Sequence, residues 1–338
     1  MAERMQQEQT VDSKDSKRDA GKNPEISIII PVYNATATIS KTLSSLERLD
    51  FPAEQLEIIL VDDGSTDNTL DVLRKWGAAN KENKSLPKVS IIKQKNQGPG
   101  AARNNGVKNS KANLVYFTDS DCAIKPDCIK QLFQKFRDDV RLGAVGGAIE
   151  LPPEERNIWA VADHYASWYH HNPRLKPHYV RSTPTANLMV KKEVFETIGY
   201  FKEKIKAGED VEFGARMEQA GYKFYSLNTA YVYHYNRTSL KDFFRHAYKW
   251  GYFGASVRIN NPATKYHYLF PANIFLASLY FIPLFLMQFF YIMVQWLKAG
   301  DFKVLLYWPF IFLRCISYQW GVLRQTKDYN KNKNKQNT

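Results

Sequence analysis

The sequence predicts an α/β fold in which a Rossmann-like, mostly parallel sheet is flanked by helices, followed by C-terminal membrane-associated helices. Between residues 26 and 149, short β-branched runs alternate with amphipathic segments, which is the pattern of strand and helix units in a parallel sheet. Residues 266–297 contain no Asp, Glu, Lys or Arg, which is typical of a membrane-associated segment. At 338 residues the chain is long enough for one large domain with an appendage.

The predicted strands are nearly continuous in apolar residues, as strands covered on both faces should be. They are 27–32, 57–61, 89–93, 113–118 and 142–149. Three helices are predicted between or after them: 37–49, a helix capped by Ser65 or Thr66 that runs through Lys75, and 209–220, which Gly221 closes.

Four acidic residues follow predicted strands. Ligands of parallel sheets bind at the carboxyl ends of the strands, so Asp62, Asp63, Asp119 and Asp121 are expected on one rim. Alternate residues of an extended chain point to one side, so Asp119 and Asp121 are predicted to face one cation, Mg²⁺ or Mn²⁺. An isolated D-x-D is also compatible with a simple turn after a strand.

The balance of charge favours a membrane over nucleic acid as a partner. The formal net charge is +13, and Lys and Arg attract phosphates of either kind. The basic residues flank apolar sequence, and the tail from residue 327 reads KDYNKNKNKQNT, which indicates lipid headgroups. Three cysteines without metal or disulfide spacing favour a reducing compartment, and the polar N-terminus has no signal-peptide pattern.

Two apolar segments near the C-terminus are predicted to attach the chain to a membrane. Residues 269–297 are long enough to cross a bilayer, with Pro271 and Pro283 as possible bends. Residues 304–323 contain Pro309 and Arg314, and either return across the membrane or lie in its interface. Two buried helices of a soluble domain are disfavoured because apolar residues occupy all sides. Flanking basic residues predict that both ends are cytosolic.

These patterns divide the chain into four segments. They are a disordered N-terminal segment, 1–24, an α/β domain, 25–260, membrane-attachment helices, 261–325, and a basic tail, 326–338.

Six motifs in order resemble family 2 glycosyltransferases with the GT-A fold, the group that includes enzymes of lipid-linked glycan and polysaccharide synthesis. The similarity runs from about residue 24 to 251. It is carried by SIIIPVYN (27–34), ILVDDGSTDNT (59–69), NQGPGAARNNG (96–106), YFTDSD (116–121), TANLMVKKEVFETIGYF (185–201) and GEDVEFGARMEQAGY (208–222). A dinucleotide-binding fingerprint is disfavoured, because Arg103 stands where its third glycine would be.

The resemblance implies a nucleotide-sugar site on the strand ends. It assigns base and ribose recognition to Asp62 and Asp63, with further lining residues Pro31, Tyr33 and Asn34. Packing is an equal alternative for Tyr33. Gly100 lets the loop approach the donor, and Arg103 either supplies a cation there or forms a salt bridge to the acidic rim.

The resemblance also implies metal and catalytic residues. Asp119 and Asp121 would ligate the metal that bridges the donor phosphates, and His234 either completes the metal shell or packs. Asp210 is assigned as the base that deprotonates the acceptor, while Glu209 is either catalytic or a first-turn helix acid. Lys249, in a segment that departs from the Q-x-x-R-W of processive synthases, is expected near the diphosphate or acceptor.

The predicted function is inverting, metal-dependent transfer of a sugar from a nucleotide-diphosphate sugar, with UDP as the first expectation, to a lipid-linked or membrane-proximal glycan acceptor on the cytosolic face of a membrane. Two alternatives remain at this point: a non-catalytic nucleotide-sugar-binding membrane scaffold, and a sugar nucleotidyltransferase.

Overall fold

A computed structural model describes residues 23–81, 83 and 85–336 of the chain, with side chains described as far as residue 333. The predicted N-terminal segment 1–24 lies almost wholly outside these residues. The described strands are β1 Ile26–Val32, β2 Leu56–Asp62, β3 Lys88–Lys93, β4 Leu114–Thr118, β5 Cys122–Ile124, β6 Leu142–Glu150, β7 His178–Val180, β8 Asn187–Lys191 and β9 Lys223–His234. The described helices are α1 Ile39–Leu46, α2 Thr69–Ala79, α3 Pro99–Asn109, α4 Cys128–Asp138, α5 Ile158–Ser167, α6 Lys192–Ile198, α7 Glu209–Gln219, α8 Leu240–Asn260, α9 Ile274–Lys298 and α10 Trp308–Gln336.

The described strands form one nine-stranded sheet in the order β3-β2-β1-β4-β8-β6-β9-β5, with β7 paired to β9. β1, β2, β3 and β4 pair in parallel, and so do β6 and β9. β8 is antiparallel to both β4 and β6, which gives those two strands a common direction. The sheet is therefore mostly parallel, with β5, β7 and β8 opposed to the other six strands. The predicted α/β class and the five predicted strands are confirmed.

Apolar clusters cover both faces of the sheet because neighbouring residues of a strand point to opposite sides. On β1, Ile28 and Ile30 belong to the cluster under α1 and α4, whereas Ile29 belongs to the cluster that contains α6 and α7 residues. All three side chains are fully buried. This burial explains why the strands read as continuous apolar runs rather than alternating ones.

Two helix boundaries differ from the predictions. α1 is shorter than 37–49, and α2 begins at Thr69 after Asn68 rather than at a cap on Ser65 or Thr66. The Thr66 backbone N–H instead donates to Asn34 Oδ1 over 2.8 Å. The residues between β2 and α2 thus form a loop bound to the end of β1. α7 begins as predicted at Glu209, and Gly221 follows it with a φ of +83°.

Residues 304–323, predicted to return across the membrane or to lie in its interface, do not belong to a described helix that is apolar enough to cross a bilayer. Residues 302–306 form a 3₁₀ turn, and α10 continues through Gln336 without a break at the proposed start of the tail. Arg314 is 4% exposed, and its guanidinium lies 3.0 Å from Asp163 Oδ1 on α5. A buried ion pair inside the protein, rather than contact with lipid, accounts for the charge in this segment.

α10 packs closely along α8. A Cβ atom added to Gly251 would overlap the carbonyl of Tyr318, and one added to Gly321 would overlap the carbonyl of Tyr248. The two glycines therefore allow the backbones of the helices to approach each other directly. The domain boundary proposed at residue 260 coincides with the end of α8, but the helices beyond it are joined to the α/β domain by this contact.

Candidate active site

The acidic residues predicted at the strand ends lie on one edge of the sheet. Val32 of β1 pairs in register with Asp62 of β2, and β4 flanks β1 on its other side. The Asp63 backbone N–H donates to the Val32 carbonyl over 2.8 Å, which keeps the two chain ends together beyond the sheet. Residues that follow these three strands consequently line a shared rim, as the topology of parallel sheets requires.

Asp62 is completely buried at the end of β2. Its Oδ1 accepts a hydrogen bond from the Ser65 backbone N–H over 3.3 Å, whereas its Oδ2 has no partner among the described residues. A buried carboxylate oxygen without a partner is costly, so such an atom indicates a position where a ligand donates a hydrogen bond. The predicted place of Asp62 in a binding site agrees with this geometry.

Asp63 has a different surrounding. Its Oδ1 accepts from the Gln94 side chain at 2.8 Å and from the Gln97 backbone at 2.9 Å, and its Oδ2 accepts from the Gly98 backbone at 2.8 Å. The carboxylate is therefore occupied in holding the 94–98 loop. These contacts position the loop before α3 and leave about one of the four acceptor positions of the carboxylate open, so direct recognition of a nucleotide by Asp63 stays a prediction.

The residues at the end of β1 also divide into two kinds. Asn34 has a φ of +48° and accepts hydrogen bonds at its Oδ1 from Thr66, so its side chain holds the neighbouring loop. Tyr33 is 49% exposed and Pro31 is half-buried on the same rim. A half-exposed aromatic ring at a strand end is free to stack on a flat ligand.

Arg103 joins two acidic segments. Its Nη2 lies 2.7 Å from Asp119 Oδ1 and its Nη1 lies 2.6 Å from Glu209 Oε1, with the residue 4% exposed. Burial alone would lower the pKa of Arg103, but the charges of Asp119 and Glu209 raise it. Of the two alternatives that the sequence left open for Arg103, the salt bridge to the acidic rim is the one observed. A Cβ atom added to Gly100, at the start of α3, would lie 3.8 Å from the Glu209 side chain.

The Asp119–Asp121 segment is a turn rather than extended strand. The Cys122 backbone N–H donates to the Asp119 carbonyl over 3.1 Å, and β5 begins at Cys122. The prediction that Asp119 and Asp121 point to one side was based on an extended chain, and the chain is not extended here. The turn directs Asp119 toward Arg103, and Asp121 toward His234.

His234 is aligned to face Asp121. The two residues Cys122 and His234 are partners in the β5–β9 ladder, which sets the ring beside the turn. His234 Nδ1 lies 2.9 Å from Asn236 Oδ1, and Nε2 lies 3.5 Å from Asp121 Oδ1. Because an amide oxygen is an acceptor only, Nδ1 carries a proton, and Nε2 is the ring nitrogen that faces the carboxylate.

Asp121 and His234 fit a divalent cation, whereas Asp119, which is bonded to Arg103, lies outside the group of neighbouring ligand atoms. Oxygen and imidazole ligands suit Mn²⁺, and a histidine whose other nitrogen is hydrogen-bonded is oriented for coordination. Burial alone would raise the pKa of Asp121, but the charges of His234 and Arg237 hold it below its ordinary value. Cys122 Sγ is also close to both residues. Burial, and then the charge of Asp121, raise the pKa of Cys122 well above its ordinary value, so the thiol is not a competitive ligand.

Asp210 follows Glu209 in the first turn of α7. Burial, and then the charge of Glu209, raise the pKa of Asp210 to about 7. Arg103 and Asp119 act on the same carboxyl group, which locates it beside the bridge described above. Glu209 is neutralised by Arg103, whereas Asp210 accepts, within the described part of the chain, from the Val211 backbone N–H alone, over 2.8 Å. The two neighbouring acids are thus in different states: one is paired, and the other titrates near neutral pH.

Sequence inspection missed three residues of this site. Arg237 Nη1 lies 3.4 Å from Asp121 Oδ2 with about a third of its side chain exposed. Trp168 packs its ring 5.1 Å from that of His234, and its Nε1 donates to Asn236 Oδ1. The H-x-N-R spacing of residues 234–237 at the end of β9 was the available signal for Asn236 and Arg237.

Lys249, predicted near the diphosphate or acceptor, is exposed on α8 and has no ion pair among the described residues.

Models of two related families match the chain. One, described as glycosyl transferase family 2, matches residues 27–199, which are more than half of the chain. The other, described as glycosyl transferase family group 2, matches residues 114–322 and therefore includes α8, α9 and part of α10.

Two curated relatives are similar in sequence. Glycosyltransferase AglE of Haloferax volcanii is 29% identical over 199 residues, which are 59% of this chain and 63% of the relative. The match thus spans less than two thirds of that relative. The second relative, from Methanococcus voltae, is 25% identical over 280 residues, which are 79% of this chain and 84% of the relative. Its name is dolichyl N-acetyl-alpha-D-glucosaminyl phosphate 3-beta-D-2,3-diacetamido-2,3-dideoxy-beta-D-glucuronosyltransferase.

A solved structure has the same fold. The mannosyltransferase PcManGT from Pyrobaculum calidifontis, in complex with GDP-Man and Mn²⁺, superposes with a TM-score of 0.61 over 90% of this chain and 87% of that one. The two sequences are 17% identical, so the likeness concerns the fold alone.

Proposed function

Because the chain belongs to glycosyl transferase family 2, we propose that it is an inverting glycosyltransferase that moves a sugar from a nucleotide-diphosphate sugar to an acceptor hydroxyl. The observation that carries this proposal is the raised pKa of Asp210, about 7, beside the Arg103–Asp119 bridge. A group that titrates near the working pH is suited to accept a proton during the reaction.

The donor nucleotide binds at the ends of β1 and β2. The unpartnered Oδ2 of Asp62 accepts a hydrogen bond from a base N–H or a ribose hydroxyl, which relieves a buried unsatisfied acceptor. The Tyr33 ring lies on the same rim and supplies a surface for the base. Asp63 contributes indirectly, by fixing the backbone of residues 97 and 98 ahead of α3.

The diphosphate binds at the turn between β4 and β5. Asp119, Asp121 and His234 would hold Mg²⁺ or Mn²⁺, which when bound neutralises charge on the departing diphosphate. Arg237 borders Asp121 with its guanidinium partly exposed, so it is free to contact a phosphate oxygen. A UDP donor remains the first expectation, with GDP next.

Asp210 acts on the acceptor. Its carboxylate takes the proton from the attacking hydroxyl while a bond forms between that oxygen and the anomeric carbon of the donor. The bond from this carbon to the diphosphate oxygen breaks on the opposite face, so the anomeric configuration inverts. Glu209 takes no proton in this scheme, because Arg103 already neutralises it; it holds the start of α7 at the rim.

The acceptor in this proposal is lipid-linked or close to a membrane. α9 is an apolar helix of 25 residues and the one helix, within the described chain, that length and composition would allow to cross a bilayer. The relative from Methanococcus voltae is named for a dolichyl phosphate substrate. Basic residues beyond α9 favour the cytosolic face, where nucleotide sugars are available to the site.

The test is a donor panel of UDP- and GDP-sugars with detergent-solubilised protein, Mn²⁺ or EDTA, and a short lipid-linked acceptor. One donor should be consumed with an inverted product in the presence of Mn²⁺ only, and Asp210→Asn should retain donor binding while losing turnover. Tight nucleotide binding without any transfer would support the scaffold alternative. Release of pyrophosphate from a nucleoside triphosphate would support a nucleotidyltransferase.

A further inference from the structure

α9 presents an apolar stripe to the outside along its whole length. From Phe285 onward its opposite side is buried against α10 and α5, through residues that include Phe289 and Trp296, whereas Ala277 is the one buried residue between 274 and 284. The outward residues are large and apolar: Phe275, Leu279, Ile282, Met287, Phe290 and Val294, each at least 41% exposed. No Asp, Glu, Lys or Arg occurs in the helix before Lys298. A helix that faces water carries charged residues on its outer side, so this stripe faces something other than water.

The apolar surface continues beyond α9. Phe302, Leu306 and Trp308 follow it at 67%, 74% and 51% exposure, and Trp320 of α10 is 60% exposed. We call α9, the 302–306 turn and these two tryptophans the apolar face. Lys298 and Lys303 lie among its residues at one end, and Tyr266 and Tyr268 lie before its other end. Amphipathic aromatic rings and lysines at the border of an apolar surface are typical of lipid headgroup contact.

The neighbours of α9 restrict how it lies in a bilayer. α9 packs antiparallel on α10, since Phe281 contacts Trp320 and Phe285 contacts Phe312. α10 in turn packs along α8 at Gly251 and Gly321. The three helices therefore move as one layer, and none crosses a membrane without carrying the others.

α8 is not compatible with a lipid interior. Lys241, Arg245 and Lys249 recur every four residues and are all exposed, which forms one basic stripe along the helix. Charged side chains in hydrocarbon are costly, and of these three residues only Arg245 has a carboxylate partner, Asp242, among the described residues. If the layer stood upright in the bilayer, this stripe would enter the hydrocarbon. The length of α9 does not distinguish a helix that crosses the bilayer from one that lies in its plane, because 25 residues rise about 37 Å, which allows either.

We propose that α9 lies in the plane of the membrane and does not cross it, so that the apolar face is immersed in one leaflet and α8 remains at the headgroup level. The occupant of the apolar face is a phospholipid bilayer with anionic headgroups. This inference deepens the membrane attachment in the proposed function and replaces the predicted span with a monotopic arrangement.

The arrangement brings the active site close to lipid. α8 begins a few residues after His234 and Arg237, and its Val257 packs against Gly208, immediately before Glu209 and Asp210. α10 and α9 cover α8 from the membrane side. About two helix diameters, each roughly 10 Å, thus separate the proposed base from the leaflet. An acceptor whose sugar stands on a headgroup is within reach of such a site, whereas a freely diffusing acceptor requires no such attachment.

The first experiment locates both ends of α9 relative to the membrane. Ala272→Cys and Lys298→Cys are made separately in the full chain, and sealed inverted membrane vesicles from expressing cells are treated with a membrane-impermeant maleimide. The native cysteines Cys122, Cys128 and Cys315 are buried and provide the background control. The in-plane arrangement predicts that both positions react before detergent is added. Protection of one position until detergent is added would show a crossing and overturn the proposal.

The second experiment measures binding to vesicles of phosphatidylcholine with phosphatidylglycerol. The double variant Leu279→Asp, Ile282→Asp should partition about tenfold or more weakly than the parent, because two apolar side chains leave the lipid. The control is Val140→Asp, at an apolar residue after α4 that is 75% exposed, which should bind like the parent. Failure of the parent to bind vesicles would overturn the proposal, and dimer formation in its place would assign the apolar face to a second copy of the chain.

The two proposals fail separately. Donor hydrolysis in detergent should be unchanged in the Leu279→Asp, Ile282→Asp variant, because neither residue touches the active site. Vesicle binding by a protein that transfers no sugar would refute the proposed function and leave the docking intact. Sugar transfer by a protein whose two α9 ends are labelled from opposite sides of the membrane would support the proposed function and refute the in-plane arrangement of α9.

Discussion

Arg103 Nη1 lies 2.6 Å from Glu209 Oε1, with both side chains buried, and this ion pair ties α3 to the first turn of α7. The second guanidinium nitrogen reaches Asp119, so one cation joins the proposed metal turn to the helix that carries the proposed base. Removing one partner of such a buried network leaves an uncompensated charge. The bridge is therefore expected to be important for both stability and geometry.

Arg103→Met should lower the free energy of unfolding by about 3–5 kcal/mol, measured by urea denaturation, because Asp119 and Glu209 lose their partner. The matched control is Arg74→Met, which breaks an exposed pair with Asp71 and should leave the unfolding midpoint nearly unchanged. Adding Glu209→Gln to Arg103→Met should recover part of the loss. An unaltered midpoint in Arg103→Met would contradict the bridging role.

Asp210 should give the reaction a pH dependence. As the proposed base it must be deprotonated, so kcat should rise with pH through about 7, the pKa of its carboxyl group. Asp210→Asn should abolish turnover and leave the Kd of the donor within a few-fold of the parent. A kcat profile that is flat between pH 5.5 and 8.5, a range of about 1.5 units on either side of that pKa, would exclude this role.

The same carboxyl group should make folding stability pH-dependent in EDTA. Its pKa is higher in the folded chain than in the unfolded chain, so the folded state binds more protons between pH 4 and 7, and stability falls as pH rises through that range. Asp210→Asn removes this penalty. The variant should melt above the parent at pH 8, with the difference disappearing toward pH 4. A lower melting temperature at pH 8 would contradict the burial of an unpaired carboxylate.

The α8–α10 contact should tolerate no side chain at its glycines. Gly321→Val should lower the melting temperature by several degrees and release α10 to proteolysis, because the added atoms overlap the Tyr248 carbonyl. Gly254→Ala on α8 is the control, since its Cβ meets the flexible end of Arg258 and lies at an ordinary contact distance, 3.7 Å, from the Tyr318 hydroxyl. Equal behaviour of the two variants in limited proteolysis would show that the contact is not close.

The sequence predicted much of this architecture because its main signals are local. Continuous apolar runs identify strands of a parallel sheet, and the parallel pairing of β1 with β2 and β4 agrees with the strand-end rule that predicts Asp62, Asp119 and Asp121 on one rim. β5, β7 and β8 were not predicted. β5 and β7 contain only three residues each, and β8 is inserted antiparallel between β4 and β6, which no local pattern indicates.

The site could be predicted only where a residue type implies its chemistry. Asp63 and Asp62 are adjacent and alike in sequence, yet one carboxylate accepts three hydrogen bonds from residues 94–98 and the other keeps a free oxygen. Such differences arise from long-range contacts. The same holds for Arg314, whose charge within an apolar run is explained by Asp163 on α5, far away along the chain.

His234 should bind the metal through Nε2, and Asn236 should orient it. Asn236→Leu should weaken Mn²⁺ binding about 10- to 100-fold in the presence of UDP, measured by calorimetry, because the ring loses the partner that fixes its tautomer. His178→Ala, at an exposed histidine on β7, should have no effect. Unchanged Mn²⁺ affinity in both Asn236→Leu and His234→Ala would remove the histidine from the metal site.

The central claim is that Asp119, Asp121 and His234 hold a cation against the donor diphosphate. The most direct test is electron–nuclear double resonance of Mn²⁺ added to the protein together with UDP. The account predicts a phosphorus coupling from UDP together with a nitrogen coupling that disappears in His234→Ala, and loss of both in Asp121→Ala. Bound Mn²⁺ without any phosphorus coupling, or with couplings that persist in Asp121→Ala, would contradict it.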